Sequence, residues 1–263
     1  MFDLEALPPL PVLEREWRKL EAAGNPSFFT SWHWIGTLLS ALPPATRPKL
    51  LRGSADRKTV SLALLGVNET RRRHGLVRSR GLYLNETGDP HFDSLTIEHN
   101  GILAAAEWEL VVGDELIGWF AGLRGEADEF HLGGSQRRLP EAVLAMWGLA
   151  CHDTFLPSYS VELCRLKDSN GEIYPVLSGN ARQQLRRTVR YFERFGALRL
   201  SEATTVAEAL TFFDAMKELH CASWERRGRA HSFSGGFFEP FHRLLIGRSF
   251  AEGGTQLLKA CAG

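Results

Sequence analysis

The chain alternates helix-like and strand-like segments from end to end, and this alternation restricts the fold more than any single motif does. Apolar residues recur at steps of three and four in 10–20 and 32–42, a spacing typical of amphipathic helices. Three leucine-rich or β-branched runs follow at 49–52, 60–67 and 76–84, and they predict an antiparallel meander. The pattern favours an α/β (α+β) fold with mixed, mostly antiparallel sheets flanked by helices.

The first half then continues as helix, strand, helix, strand. The apolar periodicity predicts helices at 102–123 and 139–149 and strands at 129–132 and 158–163. Between the last two strands of the meander, the polar stretch 68–75 is predicted to be a hairpin loop.

Beyond a turn-rich segment the pattern begins again. Asn180 is the predicted N-cap of a helix over 181–195, and Thr205 begins a capping box for a helix that ends near Arg227. Strands at 197–202 and 255–261 and a helix at 240–251 complete this half. We therefore expect a first domain at 1–165, a linker at 166–179 and a second domain at 180–263.

Composition excludes several classes of protein. The 263 residues contain 31 Lys and Arg against 31 Asp and Glu, so the chain lacks the broad positive field of a non-specific DNA-binding protein, and we expect no DNA partner. No apolar run approaches the roughly 18 residues of a membrane span. Because no signal peptide is recognisable either, we expect a cytoplasmic protein.

The common catalytic signatures are absent, and no metal site is expected. The sequence contains neither G-x-x-x-x-G-K-[ST], G-x-G-x-x-G, H-E-x-x-H nor G-x-S-x-G. The four cysteines form no Cys-x-x-Cys pair. Acidic and histidine side chains cluster at 86–99, but the stretch includes Gly88 and Pro90, so we interpret it as a polar turn.

An arginine row is the most unusual local feature. Arg182, Arg186, Arg190 and Arg194 recur every fourth residue, with Arg187 beside them, so their guanidinium groups lie along one side of a short helix and repel each other. An anion relieves this repulsion. It can be a phosphate or carboxylate of a ligand, or a carboxylate of the chain itself in an internal salt bridge.

A second candidate set lies on the following helix. His220 and Trp224 are one turn apart, and Arg227 follows them. They either line a substrate groove or serve as ordinary packing residues, since a histidine on an apolar face is often a hydrogen-bonded core residue.

A family resemblance emerges from these segments. The run from Leu177 to Arg190, the motif Leu219-His-x-x-x-Trp224 and the pair Arg227-Gly228 resemble the acetyltransferase family named after the bacterial cellulose-biosynthesis protein CelD. That family belongs to the GNAT superfamily and is similar to the Fem-type peptidyltransferases. Pro26–Trp34 and Ser94–Gly101 look like the family's first domain.

The resemblance implies tandem GNAT-like domains, each ordered strand, two helices, three strands, helix, strand, helix, strand. It also implies attack of an amine on the thioester of acyl-CoA or acetyl-CoA, with the pyrophosphate held by a Q/R-x-x-G-x-G/A loop. No such loop is present. We therefore expect a first domain without its own cofactor site and an incomplete second domain whose donor-binding part would follow Gly263, and we assign no catalytic residue.

The resemblance thus predicts an N-acyltransferase that acylates an amine of an envelope or exopolysaccharide precursor, a small-molecule or sugar-nucleotide-like acceptor. The row Arg182, Arg186, Arg187 and Arg190 is expected to contact its anionic group, and His220, Trp224 and Arg227 are expected to line the acceptor side. Two alternatives remain open. One is a Fem-like transferase that uses aminoacyl-tRNA, and the other is a non-catalytic binding or scaffold module in polysaccharide assembly.

Overall fold

The strand Lys58–Arg72 lies at the centre of a mixed sheet in the computed structural model, which describes residues 2–72, 74–135, 139–159, 162–168 and 171–263. In chain order the elements are β1 Phe2–Glu5, α1 Leu10–Glu21, α2 Trp32–Ala41, β2 Lys49–Ala55, β3 Lys58–Arg72, β4 Val77–Leu84, β5 Leu103–Ala104, α3 Glu109–Gly122, β6 Glu129–His131, α4 Glu141–Trp147, α5 Leu163–Asp168, α6 Gly179–Glu193, β7 Leu198–Glu202, α7 Val206–Glu225, α8 Phe238–Ser249 and β8 Leu258–Ala262.

The main sheet has the order β1-β2-β3-β4-β6, and β5 also pairs with β3. All of these pairs are antiparallel except β4 with β6, which run parallel. A second, two-stranded sheet consists of antiparallel β7 and β8. The predicted fold class, α/β with mostly antiparallel sheets flanked by helices, is confirmed.

The sheet is covered on both faces where β3 is most apolar. Six consecutive residues of β3, from Ser61 to Gly66, are buried, as expected for a strand packed on both sides. Leu62 and Leu64 belong to the hydrophobic cluster that contains residues of α1, α2 and α8, whereas Ala63 and Leu65 belong to the cluster that contains residues of α3. Alternate side chains of β3 therefore pack into two hydrophobic cores, one on each face of the sheet.

The opening strand, which the sequence left unclear, is present as β1. Phe2 pairs with Gly53 and Glu5 pairs with Leu50 in an antiparallel ladder with β2. With β1 in place, the order of elements from β1 through α4 is the order that the resemblance implies for a first domain, apart from the two-residue strand β5.

Two predicted element boundaries are wrong. Asn68 to Arg72 are part of β3 and pair with β4, so the hairpin loop is shorter than 68–75. Leu103 and Ala104 pair with β3, and α3 begins only at Glu109, so the helix predicted at 102–123 loses its first turns. In both cases long-range strand pairing supplies the backbone hydrogen bonds that local periodicity cannot reveal.

The strand predicted at 158–163 is also not observed. Residues 160 and 161 lie outside the described residues, and 158, 159 and 162 are not in a strand. Leu163 begins the helix α5.

The described chain forms two compact units by its internal contacts. One contains Met1–Cys151 and Thr205–Gln256, and the other contains His152–Thr204 and Leu257–Gly263. Helices α7 and α8 thus belong to the unit of the N-terminal residues, whereas α6, β7 and β8 belong to the other unit. The domain boundaries at 165 and 180 follow sequence patterns, not contacts, and stay a prediction. Among the described residues, none of the helices has the length and apolarity needed to cross a bilayer.

Candidate functional site

Helix α6 carries the arginine row, and a serine cap begins it. Ser178 accepts a hydrogen bond at its Oγ from the backbone N–H of Ala181, at 3.2 Å. The predicted cap, Asn180, is instead inside the first turn. The cap therefore lies two residues earlier, because the Ser178 backbone is extended while Gly179 and Asn180 are helical.

The arginines of α6 line an open groove. Its lining includes the four arginines that were predicted to contact an anionic group, Arg182, Arg186, Arg187 and Arg190. The groove, of about 1160 Å³, is also lined by Arg194, Tyr174 and Tyr191. Tyr174 and Tyr191 were not predicted as site residues, and Arg194 was predicted only as a member of the arginine row.

Two of the arginines contact Tyr174. Arg182 donates a hydrogen bond from Nη1 to the Tyr174 carbonyl oxygen at 3.4 Å, and the Arg186 guanidinium lies 5.3 Å from the centroid of the Tyr174 ring. Within the described part of the chain, none of the five arginines forms an ion pair with a carboxylate. Internal salt bridges therefore do not neutralise the row there.

The second predicted set lies on α7, in the other compact unit. The rings of His220 and Trp224 stack with their centroids 5.6 Å apart, and Phe233 and His231 also contact His220. Among the described residues, the buried Nε2 of His220 has no hydrogen-bond partner. Most buried polar atoms do have a partner, so this nitrogen is an unusual feature of the aromatic cluster.

Arg227 is not part of this aromatic cluster. It follows the end of α7 with an exposed side chain, and its backbone N–H donates to the Trp224 carbonyl oxygen. In the described residues no side-chain hydrogen bond, ion pair or ring contact joins it to His220 or Trp224. The structure thus brings two of the three predicted residues together.

Charged residues connect α7 to α8 next to this cluster. Lys217 of α7 donates to Glu239 of α8 at 2.5 Å, and Arg243 pairs with both Glu239 and Asp214. The hydrogen bonds from Lys217 and Arg243 lower the pKa of Glu239. These pairs join the two helices, and the lowered pKa makes the Glu239 carboxylate a weaker general base.

The loop after β4 contains a half-buried carboxylate that accepts hydrogen bonds from the backbone of the same loop. The Asp93 carboxylate accepts hydrogen bonds from the N–H groups of Thr87 and Gly88, at 2.8 and 2.7 Å, and from the Thr87 hydroxyl. These amides follow β4, which ends at Leu84. Because an internal anion already occupies them, this loop does not fit a pyrophosphate.

The same loop contains Glu86, whose carboxyl group has an unusual environment. Burial, and to a lesser extent the neighbouring Asp93 carboxylate, raise the pKa of Glu86 to about 7. From the sequence, Glu86 was predicted only to be part of the polar turn at 86–99. Among the described residues, no group of three or more His, Cys, Asp or Glu side chains is arranged to hold a metal ion.

Comparison with known proteins adds one match. Residues 179–263 match the family model described as an acetyltransferase (GNAT) domain. Neither the curated proteins nor the solved structures give a match. The matched segment begins with α6, ends at Gly263 and contains all seven predicted site residues. It is therefore similar to the acetyltransferase domains of the GNAT superfamily, which supports a role in acyl transfer.

Proposed function

We propose that this chain is an N-acyltransferase that transfers an acyl group from acyl-CoA to an amine. The match of residues 179–263 to a GNAT acetyltransferase domain carries the proposal. In the reaction, the amine nitrogen attacks the thioester carbonyl and forms an amide. The carbon–sulfur bond breaks, and coenzyme A leaves as the thiolate, which takes up the proton that a base removes from the attacking nitrogen.

The acceptor in this proposal is an amine that also carries negative charge, such as a precursor of an envelope polymer or exopolysaccharide. The support is the groove of α6, where five arginines have no carboxylate partner in the described part of the chain. Guanidinium groups recognise phosphate and carboxylate through paired hydrogen bonds. The groove can therefore hold the anionic part of the acceptor.

Acetyl-CoA turnover tests the proposal. We expect thiol release from acetyl-CoA in the presence of an amino-sugar panel to exceed spontaneous hydrolysis, and calorimetry to detect acetyl-CoA binding. Replacing the exposed Arg199 of β7 with glutamine should leave turnover unchanged, because Arg199 does not line the groove. Absence of both binding and thiol release would contradict the proposal.

A non-catalytic binding module is the second candidate. The arginines of the groove favour it. They have no carboxylate partner among the described residues, so they can equally bind an acidic partner protein. Binding of acidic ligands without any acetyl-CoA binding would support this candidate. Loss of transferase activity on treatment with ribonuclease would instead support donation from aminoacyl-tRNA.

A further inference from the structure

The five arginines of the groove divide into two sets by their contacts. Arg182 and Arg186 both contact Tyr174, through a hydrogen bond to its carbonyl oxygen and through its ring. The guanidinium groups of the other three have no hydrogen bond, ion pair or ring contact in the part of the chain that the structure describes. These three, Arg187, Arg190 and Arg194, are exposed.

The three free arginines share one face with an exposed aromatic ring. Residues 187, 190, 191 and 194 are separated by three, one and three positions, so they lie on one side of the helix within about 10 Å along its axis. Tyr191 is 53% exposed. Its ring makes T-shaped contacts with Phe192 and Phe195, whose ring centroids lie 5.4 and 5.7 Å away.

This arrangement selects the charge and shape of a ligand. A lone carboxylate or phosphate satisfies one or two guanidinium groups, whereas three within about 10 Å suit two adjacent phosphates. The exposed ring of Tyr191 beside them offers a stacking surface for a planar base. A long nucleic acid is disfavoured, because the chain has no net positive charge.

We propose that Arg187, Arg190 and Arg194 bind the diphosphate of a nucleoside diphosphate, and that Tyr191 stacks on its base. The proposal rests on the proposed function only in treating the groove as part of the acceptor site. A nucleoside diphosphate is present both in sugar nucleotides and in coenzyme A. Uridine diphosphate and free coenzyme A, used as separate probes, distinguish the two sources.

Calorimetry at low salt with uridine diphosphate, free coenzyme A, uridine monophosphate and pyrophosphate tests the site. We expect the triple variant Arg187→Gln, Arg190→Gln and Arg194→Gln to bind uridine diphosphate about 100-fold more weakly. We expect Tyr191→Leu to weaken the binding of uridine diphosphate about fivefold to tenfold and to leave the affinity for pyrophosphate unchanged. Because glutamine and leucine are good helix formers, circular dichroism of each variant should match that of the parent chain.

The controls separate this site from general attraction to a basic surface. The variant Arg199→Gln removes an exposed arginine outside the groove, and uridine diphosphate affinity should not change. Tighter binding of uridine diphosphate than of free coenzyme A assigns the site to a sugar nucleotide, and the reverse assigns it to coenzyme A.

Other results would overturn the inference. Equal affinity for pyrophosphate and uridine diphosphate would show that the nucleoside does not contribute to binding. Unchanged affinity of the triple variant for uridine diphosphate would show that the three arginines do not bind the diphosphate. Thiol release without any nucleotide binding would also overturn it, although the proposed acyl transfer would remain. Uridine diphosphate binding without acetyl-CoA binding and without thiol release would support the site and contradict the proposed acyl transfer.

Discussion

Replacing Phe241 with alanine is expected to lower the free energy of unfolding by about 3–5 kcal/mol. Phe241 of α8 has no exposed surface, and its ring packs against Trp34 of α2 with centroids 4.8 Å apart. The variant leaves a cavity where α8 meets α2. Denaturant titration followed by circular dichroism measures the loss.

A surface residue provides the matched control for this variant. Leu219 of α7 is 74% exposed, so Leu219→Ala should change the free energy of unfolding by less than about 1 kcal/mol. A loss below about 1 kcal/mol for Phe241→Ala would show that α8 does not pack on α2 as described.

Replacing Glu86 with glutamine should flatten the pH dependence of stability between about pH 4.5 and 7. Burial, together with the nearby Asp93 carboxylate, raises the pKa of Glu86 from 4.5 to about 7 in the folded chain. The folded state therefore binds more protons than the unfolded state in this range, and stability falls as pH rises through it. The full effect is about 3 kcal/mol and is reached above pH 7.

The difference between the parent chain and the Glu86→Gln variant isolates this group. Below pH 4.5 the two free energies of unfolding should be similar, and above pH 7 the variant should be more stable. Glu129 does not interfere, because its hydrogen bonds from Arg72 and Ser79 lower its pKa to about 2, so its contribution is lost only at acid pH. Glu115→Gln, on the exposed side of α3, serves as the control. A difference that does not vary with pH would contradict the assignment.

Local signals in the sequence were sufficient for several elements. Thr205 is the N-cap of α7, as predicted, and its hydroxyl accepts a hydrogen bond from the Glu208 N–H at 3.2 Å. The helix of the arginine row is also present within two residues of its predicted ends. Such features depend on residues three or four positions apart, so they can be predicted from the sequence alone.

Long-range contacts explain what the sequence did not predict. Leu103 and Ala104 lie in an apolar stretch that favours a helix, but β3 draws them into strand pairing. Similarly, no local pattern shows that Arg182 and Arg186 contact Tyr174 while Arg187, Arg190 and Arg194 have no side-chain partner among the described residues.

The sequence by itself determined the class of fold, the ends of most helices and the row of arginines, because periodicity and capping are properties of neighbouring residues. Only the tertiary structure decided that α8 packs on α2 and that Asp93 occupies the amides after β4. These outcomes depend on which distant segments bury their apolar surfaces against each other. The free energy of that burial depends on both segments, so it cannot be predicted from either one alone.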